Sequence, residues 1–414
     1  MKVKERSIRH ILLLIYFISC VGSVYSNSLR LPKYENPTGN EFPIVAWYSF
    51  SNPSQVTTEN FRIMREAGFN ITNTQTDNNI VDLTLKAVEG TGVKVLINCA
   101  STKILSSIPD AVRKFRDNPN MMGYFCKDEP TASQFANLKK VVELIYEYDG
   151  KHIPFVNFLP VVSPTRLETK DYKSYLVKGV TEIGLPMFSY DNYPVIKKRG
   201  RITISDTFYE NLEIAAEVSK ELSVPFWAFC LSTSHLDYPN PTVAELSFEA
   251  FSNLAYGAQG LSYYTYVRKT DHKPAYHMAP VQPDGKKTVI WDYVKKVNGE
   301  IRNLQDIFLG CKLKGAWHTG KEIPKGTKRL QRLPQPFISL NTGNEGVLVS
   351  QIEKDNKEFL VIVNHSVTAK QNISLTSSKV MMRHYGDGKI IEFGFASSWT
   401  LEPGAYAIFS IKQQ

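Results

Sequence analysis

Acidic side chains stand at two points where hydrolytic chemistry would need them. Glu129 closes the run Gly123-Tyr-Phe-Cys-Lys-Asp-Glu ahead of Pro130, and Asp191 stands inside Phe188-Ser-Tyr-Asp-Asn-Tyr-Pro. Each follows an apolar, β-type run. Cleavage of a glycosidic bond needs two carboxyl groups flanking it, one a protonated acid and one an anion. An acid set among aromatic and apolar strands is desolvated, which raises its pKa and keeps the proton near neutral pH. Lys127 beside the first acid opposes that shift. Each acid also has a plain structural reading. A Glu at a strand end is often the first residue of a helix, favoured by the positive end of its dipole. Asp128, ahead of Pro130 and a helix from Ala132, reads as a cap as readily as a third catalytic carboxylate.

The other residues in comparable places are amides and aromatics. Read at successive strand ends, they are Trp47, Tyr48, Asn73, Gln75, Asn98, Asn157, Tyr190, Tyr193, Trp227, His235, Tyr264 and Tyr266. Amides bond hydroxyl groups, and flat rings pack on the C–H faces of sugars. The set therefore predicts a carbohydrate contact surface. His235 reads as a substrate contact rather than a base, and the strand-eight tyrosines serve barrel packing equally well. The chain has no phosphate-cradling glycine loop, no His/Cys metal spacing and no nucleophile elbow, so no cofactor and no metal are expected. Cys99, Cys126 and Cys230 lie in apolar runs and read as buried thiols.

What must position these residues is a repeating frame. Apolar runs at 42–50, 71–76, 93–100, 122–127, 153–159, 185–190, 225–231 and 261–267 alternate with helix-period segments. The clearest of those are 57–68, 132–148, 209–222, 242–257 and 291–308. Near-continuous apolar strands suit a sheet buried on both faces. Eight βα units in about 270 residues match a (β/α)8 TIM barrel. An open doubly wound sheet would want a G-x-G-x-x-G after its first strand, which is missing. After Cys311 the helical period stops. Short β-type runs at 337–341, 346–352, 359–364, 371–375, 379–385, 389–393 and 406–411 predict a C-terminal antiparallel β-sandwich. The expected organisation is a signal segment 1–26, a linker 27–41, a barrel 42–310 and a sandwich 311–414.

The first 26 residues are an address. A basic start precedes the apolar run 11–19 and then small residues, the layout of a secretory signal. Val24-Tyr25-Ser26 suits signal peptidase, while Ser19-Cys20 offers the alternative of a lipid anchor on Cys20. The reading is export, to the periplasm or cell surface, with no transmembrane segment in the mature chain. Of the net charge of +9, this segment carries +3. The remaining excess is mild and forms no Lys/Arg-dense stripe, so nucleic acid is not an expected partner. The 43% hydrophobic and 21% charged composition excludes a disordered or fibrous chain.

The motifs around Glu129 and Asp191, with Gly257-Ala-Gln-Gly-Leu-Ser-Tyr-Tyr-Thr-Tyr, resemble glycoside hydrolase barrels of the β-galactosidase-like, family 42-type group and related Bacteroidetes glycosidases. The tail Leu401-Glu-Pro-Gly-Ala-Tyr-Ala-Ile-Phe-Ser-Ile is similar to the end of the sandwich in such enzymes. The resemblance spans 42–411. It implies that Glu129 is the general acid/base after strand four. It also implies a nucleophilic Glu after strand seven, where this chain has Phe226-Trp-Ala-Phe-Cys-Leu-Ser-Thr-Ser-His and no acid before Asp237. Three readings stay open. Asp191 is the second carboxylate; or Asp128-Glu129 works like the Asp-Glu pair of N-acetylhexosaminidases, with the substrate's acetamido group as nucleophile and Tyr190 as partner; or the barrel binds glycan without cleaving it. The leading expectation is an exported glycosidase acting on an oligo- or polysaccharide.

Overall fold

The computed structural model describes residues 31–73, 77–270 and 275–413. The signal segment, Cys20 and Gln75 lie outside the described residues. In chain order the first strands are β1 Ile44–Trp47, β2 Ile71–Asn73, β3 Lys94–Ile97, β4 Met121–Asp128, β5 Ile153–Phe158 and β6 Phe188–Tyr190. A hairpin of β7 Val195–Lys198 and β8 Arg201–Ile204 stands outside the ring, and β9 Phe226–Leu231 and β10 Leu261–Tyr264 complete it. The eight ring strands are parallel and close in the order β1-β10-β9-β6-β5-β4-β3-β2. This is the predicted barrel. The hairpin was not foreseen, because four-residue strands between Pro194 and Ser205 carry too few apolar positions to register.

The barrel is filled, not hollow. Trp47, Leu96, Phe125, Phe155, Trp227 and Phe229 come from five strands, the last two from alternate positions on β9, and form one buried interior with their aliphatic neighbours. The Trp47 ring meets Phe125 edge-on at 5.1 Å and Phe229 at 4.9 Å. Room for Trp227 depends on Gly260: a Cβ there would lie 2.3 Å from the indole. Helices close the outside: α1 Thr58–Glu66, α2 Asn78–Ala87, α3 Ile108–Phe115, α4 Phe135–Tyr148, the single turn α5 Pro164–Leu167, α6 Tyr172–Ile183, α7 Phe208–Leu222, α8 Val243–Ala255 and α9 Val289–Phe308. Their starts obey local chemistry. Thr57 and Asp77 cap α1 and α2 through side-chain oxygens, and Thr242 with Glu245 forms a capping box on α8.

The C-terminal part is antiparallel. Its strands are β11 Lys312–His318, β12 Phe337–Asn341, β13 Val347–Lys354, β14 Lys357–Asn364, β15 Gln371–His384, β16 Ile390–Leu401 and β17 Tyr406–Ile411. Two predicted strands merge into the long β15. Its first half pairs with β12 and its second half with β17, while β16 follows it along both, with a register shift between. One hydrogen-bonded sheet thus folds over itself. Val349, Ile362 and Phe409 from one half share a core with Ile373, Leu375 and Leu401 from the other. The two layers of a sandwich are present, joined through a bent strand pair.

This sheet covers α8. Every residue of that helix from Glu245 to Ala255 is buried, with barrel on one side and sheet on the other. Phe251 stacks on Tyr406 at 3.4 Å, and Ser350 Oγ donates to the Ala255 carbonyl at 2.5 Å. No helix among the described residues is long and apolar enough to cross a membrane.

Candidate active site at the barrel mouth

The ends of β4, β5 and β6 bring three acids around one amide. Asp128 ends β4, and Glu129 follows in a left-handed backbone with φ 44°. A non-glycine residue holds that conformation at a cost of about 1–3 kcal/mol, and such sites cluster where function needs them. Here the Glu129 N–H donates to the Asn157 carbonyl at 2.8 Å. Tyr48, just past β1, is left-handed as well, with φ 50°. Both lie at the C-terminal mouth, where barrel loops gather.

Asn157 on β5 is the hub. Its Nδ2 donates to Asp128 Oδ1 and to Asp191 Oδ1, each at 3.0 Å, and Ser189 Oγ donates to its Oδ1 at 3.1 Å. Two N–H bonds diverging from one nitrogen by about 120° hold two such acceptors about 5 Å apart. Two charges at that spacing repel by about 3 kcal/mol at an effective dielectric of 20. Burial, then Glu129 and Asp128, push Asp191 up to about 8, against the Asn157 hydrogen bond. Asp128 is also raised by crowding protein, although one edge faces the open cup. Its bond to Asn157 and the charges of Lys103, Lys127 and Lys269 pull it back. Glu129 is raised by burial and by Asp128, with Arg166 opposing at 3.4 Å from Oε2. Near neutral pH the arrangement favours a proton on Asp191 and a charge on Asp128.

Aromatic rings form the facing wall. Tyr264 meets Tyr48 at 5.4 Å and Tyr193 at 5.8 Å, and its hydroxyl bonds that of Tyr276 at 2.5 Å. His235 stacks on Tyr276 at 4.5 Å and lies 5.0 Å from Tyr238. Burial, with Lys269 adding, lowers His235 to about 4, so its ring is neutral at pH 7. The Lys269 ammonium sits 3.7 Å from the centre of the Tyr48 ring.

Four of the expected sugar contacts lie elsewhere. Trp47 and Trp227 are fully buried inside the barrel and offer no face to a ligand. Tyr190 is buried against Phe226, and Tyr266 is buried against Phe50 and Phe69. Two causes act: Trp47 and Trp227 point inward but lie in the filled interior below the mouth, whereas strand alternation turns Tyr190 and Tyr266 away from it. Asn73 and Asn98 are buried near the mouth, with Asn98 Nδ2 donating to Asn73 Oδ1 at 3.4 Å. Asn157 is bound to the acids rather than left for sugar hydroxyls. Tyr48, Tyr193, Tyr264 and His235 do come together.

Sequence reading missed Lys103, Arg166, Tyr238, Lys269 and Tyr276. They stand four or more residues past their strands, beyond the strand-end positions that alternation lets one assign. Among the described residues no cluster of three His, Cys, Asp or Glu side chains gathers as a metal site.

No protein-family model and no curated protein sequence matches the chain. Solved structures do. A β-galactosidase from Bacillus circulans sp. alkalophilus aligns over 90% of this chain and 99% of its own, with TM-score 0.61 and 9% identity. A catalytic mutant of a GH42 β-galactosidase from G. stearothermophilus aligns over 92% and 100%, with TM-score 0.58 and 8% identity. For a β-galactosidase from the Antarctic haloarchaeon Halorubrum lacusprofundi the figures are 64% of this chain, TM-score 0.50 and 12% identity. This chain spans 58% of the length of that enzyme. The barrel followed by an antiparallel sheet is therefore a fold this chain shares, at low identity, with glycoside hydrolases.

Proposed function

We propose that the chain is a glycoside hydrolase whose acid/base machinery is Glu129, Asp128 and Asp191. The observation that carries the reading is the Asn157 amide holding Asp128 and Asp191 together beside Glu129, at the barrel's C-terminal mouth. Glu129 protonates the glycosidic oxygen. Its half-exposed carboxyl reaches the cup, and burial with the neighbouring Asp128 raises its pKa toward the range an acid needs. The sequence puts Asp191 first as the anionic partner. The electrostatics favour a division of labour instead. Asp128 faces three lysines and carries the negative charge, as base, nucleophile or stabiliser of an acetamido group. Asp191 keeps its proton and fixes Asp128 through Asn157. Tyr48, Tyr193 and Tyr264 supply the stacking wall. The basic, apolar and small residues of 1–26 support export of the enzyme.

A second reading is favoured by one observation. The end of strand seven, where the related fold would carry a nucleophile, holds Ser232, Thr233, Ser234 and a neutral His235, and Asp237 is exposed outside the cup. That suits a glycan-binding protein on a glycosidase scaffold. Hydrolysis of aryl glycosides and of plant and host glycans separates the two. The parent chain is run beside Glu129→Gln, Asp128→Asn and Asp191→Asn. Turnover that falls at least 100-fold in Glu129→Gln and Asp128→Asn supports the enzyme. Glycan binding without turnover in the parent chain rejects it.

A further inference from the structure

A cavity of about 340 Å³ lies outside the cup, where α8 and α9 meet the C-terminal sheet. It shares no residue with the acids or the tyrosine wall. Its size falls within the range of about 300–1,000 Å³ that small ligands occupy. Two close backbone approaches fix its walls. A Cβ on Gly386, in the turn after β15, would lie 2.5 Å from the Tyr406 hydroxyl, and one on Gly404 would lie 1.9 Å from the Ala244 carbonyl oxygen. Asn303 on α9 also ties the turn down, donating to the Gly386 carbonyl at 2.9 Å.

Two polar groups of the lining lack their usual partners. Ser247 on α8 is only 6% exposed, and among the described residues its Oγ has no hydrogen-bond partner. A buried hydroxyl in that state is costly, and at a cavity wall it points to something that fills the cavity and completes the bond. Arg383 on β15 is half-buried, with its guanidinium 4.7 Å from the centre of the Tyr385 ring and 5.2 Å from that of Trp399. The groups acting on its charge are the Tyr385 and Tyr406 hydroxyls, not a carboxylate. A guanidinium has five N–H donors, and rings answer its charge but leave most of those donors unused. The acids of the lining are already engaged. Glu300 accepts from the Tyr406 hydroxyl at 2.9 Å and lies 4.0 Å from Lys296, Asp387 pairs with Lys389 at 2.7 Å, and Glu402 pairs with Lys370 at 3.8 Å. Against these three acids, Lys296 and Arg383 give the lining no positive excess, so nothing favours an anion. Val243, Pro403 and Ala405 add apolar surface. A guanidinium only donates, a carboxylate only accepts and a hydroxyl does both. A ligand that meets all three at once carries several hydroxyls on a compact carbon frame.

We infer that this cavity is a second binding site, separate from the cup, for one neutral sugar unit. Its hydroxyls accept from Arg383, bond Ser247 Oγ and donate to the Glu300 and Glu402 carboxylates, while its carbon face rests on Val243 and Pro403. The inference holds whether the cup cleaves glycan or only binds it.

The test titrates galactose, glucose, mannose, xylose and N-acetylglucosamine into the full chain by calorimetry, with galacturonate as the charged comparison. The variants are Ser247→Ala, Ser247→Met, Arg383→Met and, to strip the wall of the cup, Tyr264→Ala. At least one neutral sugar should bind with a dissociation constant of about 1 mM or below. That binding should be unmoved in Tyr264→Ala. It should weaken about threefold to tenfold in Ser247→Ala and about tenfold or more in Arg383→Met and Ser247→Met, which remove the donors or fill the space. Galacturonate should bind more weakly than the neutral sugars. No binding of any of these sugars by the parent overturns the inference. So does binding that Ser247→Met and Arg383→Met leave unchanged, which places it in the cup or elsewhere. Tighter binding of galacturonate overturns the ligand class. Melting curves separate loss of binding from loss of fold. Ser247→Ala deletes a hydroxyl that bonds no protein atom, so it keeps the test decisive if a methionine variant misfolds.

Discussion

Asp191→Asn should make the protein more stable at neutral pH. The side chains are isosteric, and the new amide oxygen still accepts from Asn157. What changes is charge. Asp191 is pushed from 3.8 up to about 8, chiefly by burial. A carboxyl raised on folding favours the native state fully only below the unfolded pKa, and that favour is lost as pH rises toward the folded value. Here the window runs from about pH 4 to pH 8. Linkage over that window gives a ceiling of about 4 kcal/mol at pH 7, and of about a quarter of that at pH 4.5. Water entering the cup relaxes part of the penalty, so a gain of about 1–3 kcal/mol at pH 7 is expected. In a protein this large that raises Tm by about 2–4 °C. The assay is thermal and urea unfolding of parent and variant at pH 4.5, 6, 7 and 8. A gain that grows with pH supports the reasoning. No gain at pH 7, or the same gain at every pH, refutes it, because either result means the carboxyl was never held protonated.

Other perturbations give equally direct readings. Asn157→Ala removes the amide that separates and fixes Asp128 and Asp191. Turnover of any substrate found should fall about 100-fold, the scale typical of general acid–base contributions, and the pH–rate profile should shift. Trp227→Ala should cost about 3–5 kcal/mol in urea unfolding, as buried aromatics do. Tyr264→Ala, at the half-exposed mouth, should cost clearly less and reduce glycan affinity instead. His365, bonded to His318 at 2.8 Å between sheet and barrel, is lowered to about 4 by burial. A depressed histidine gives stability above pH 6.5 that is lost as pH falls toward 4, about 2 kcal/mol by pH 5. His365→Gln should flatten that acid limb in urea titrations.

The barrel was legible because its strands are buried on both faces and therefore read as unbroken apolar runs, and because Gly68, with φ 86°, ends its helix where the apolar stripe stops. The long strand β15 was less so. Thr376, Ser377 and Ser378 interrupt its pattern at the bend, and the sequence reading breaks the strand there into runs 371–375 and 379–385. Helix α8 misleads in the same way. Ser247, Glu249, Ser252 and Asn253 look like a solvent face, but all are buried: Glu249 accepts from the Leu231 N–H at 2.6 Å and Asn253 donates to the Phe229 carbonyl at 3.1 Å, both on β9, and Ser252 meets the Tyr209 hydroxyl of α7. In the site, Glu129, Asp191 and Asn157 were readable by position alone. What no pattern could give was that Asn157 serves the acids rather than the ligand. That depends on the angular spacing of three neighbouring strands.

That spacing explains how the mouth can do without an acid on strand seven. In the ring, β9 stands three strands from β4, whereas β6 stands two away with only β5 between. A carboxyl on β6 is close enough to Asp128 for one amide on the intervening strand to hold both, which a carboxyl on β9 would not be. The consequence is a one-sided site. Acids occupy the wall of β4, β5 and β6. In a ring of eight, β10 lies diametrically opposite β4 and β1 opposite β5, and these two strands lead into Tyr264 and Tyr48. On the proposed reading, a sugar ring seated flat on the tyrosines would turn its glycosidic oxygen toward Glu129 and Asp128. Coupling between the acids then does the work that distance does in a conventional pair: because Asp128 and Asp191 sit too close to ionise together, one carries the charge and the other keeps the proton at the same pH.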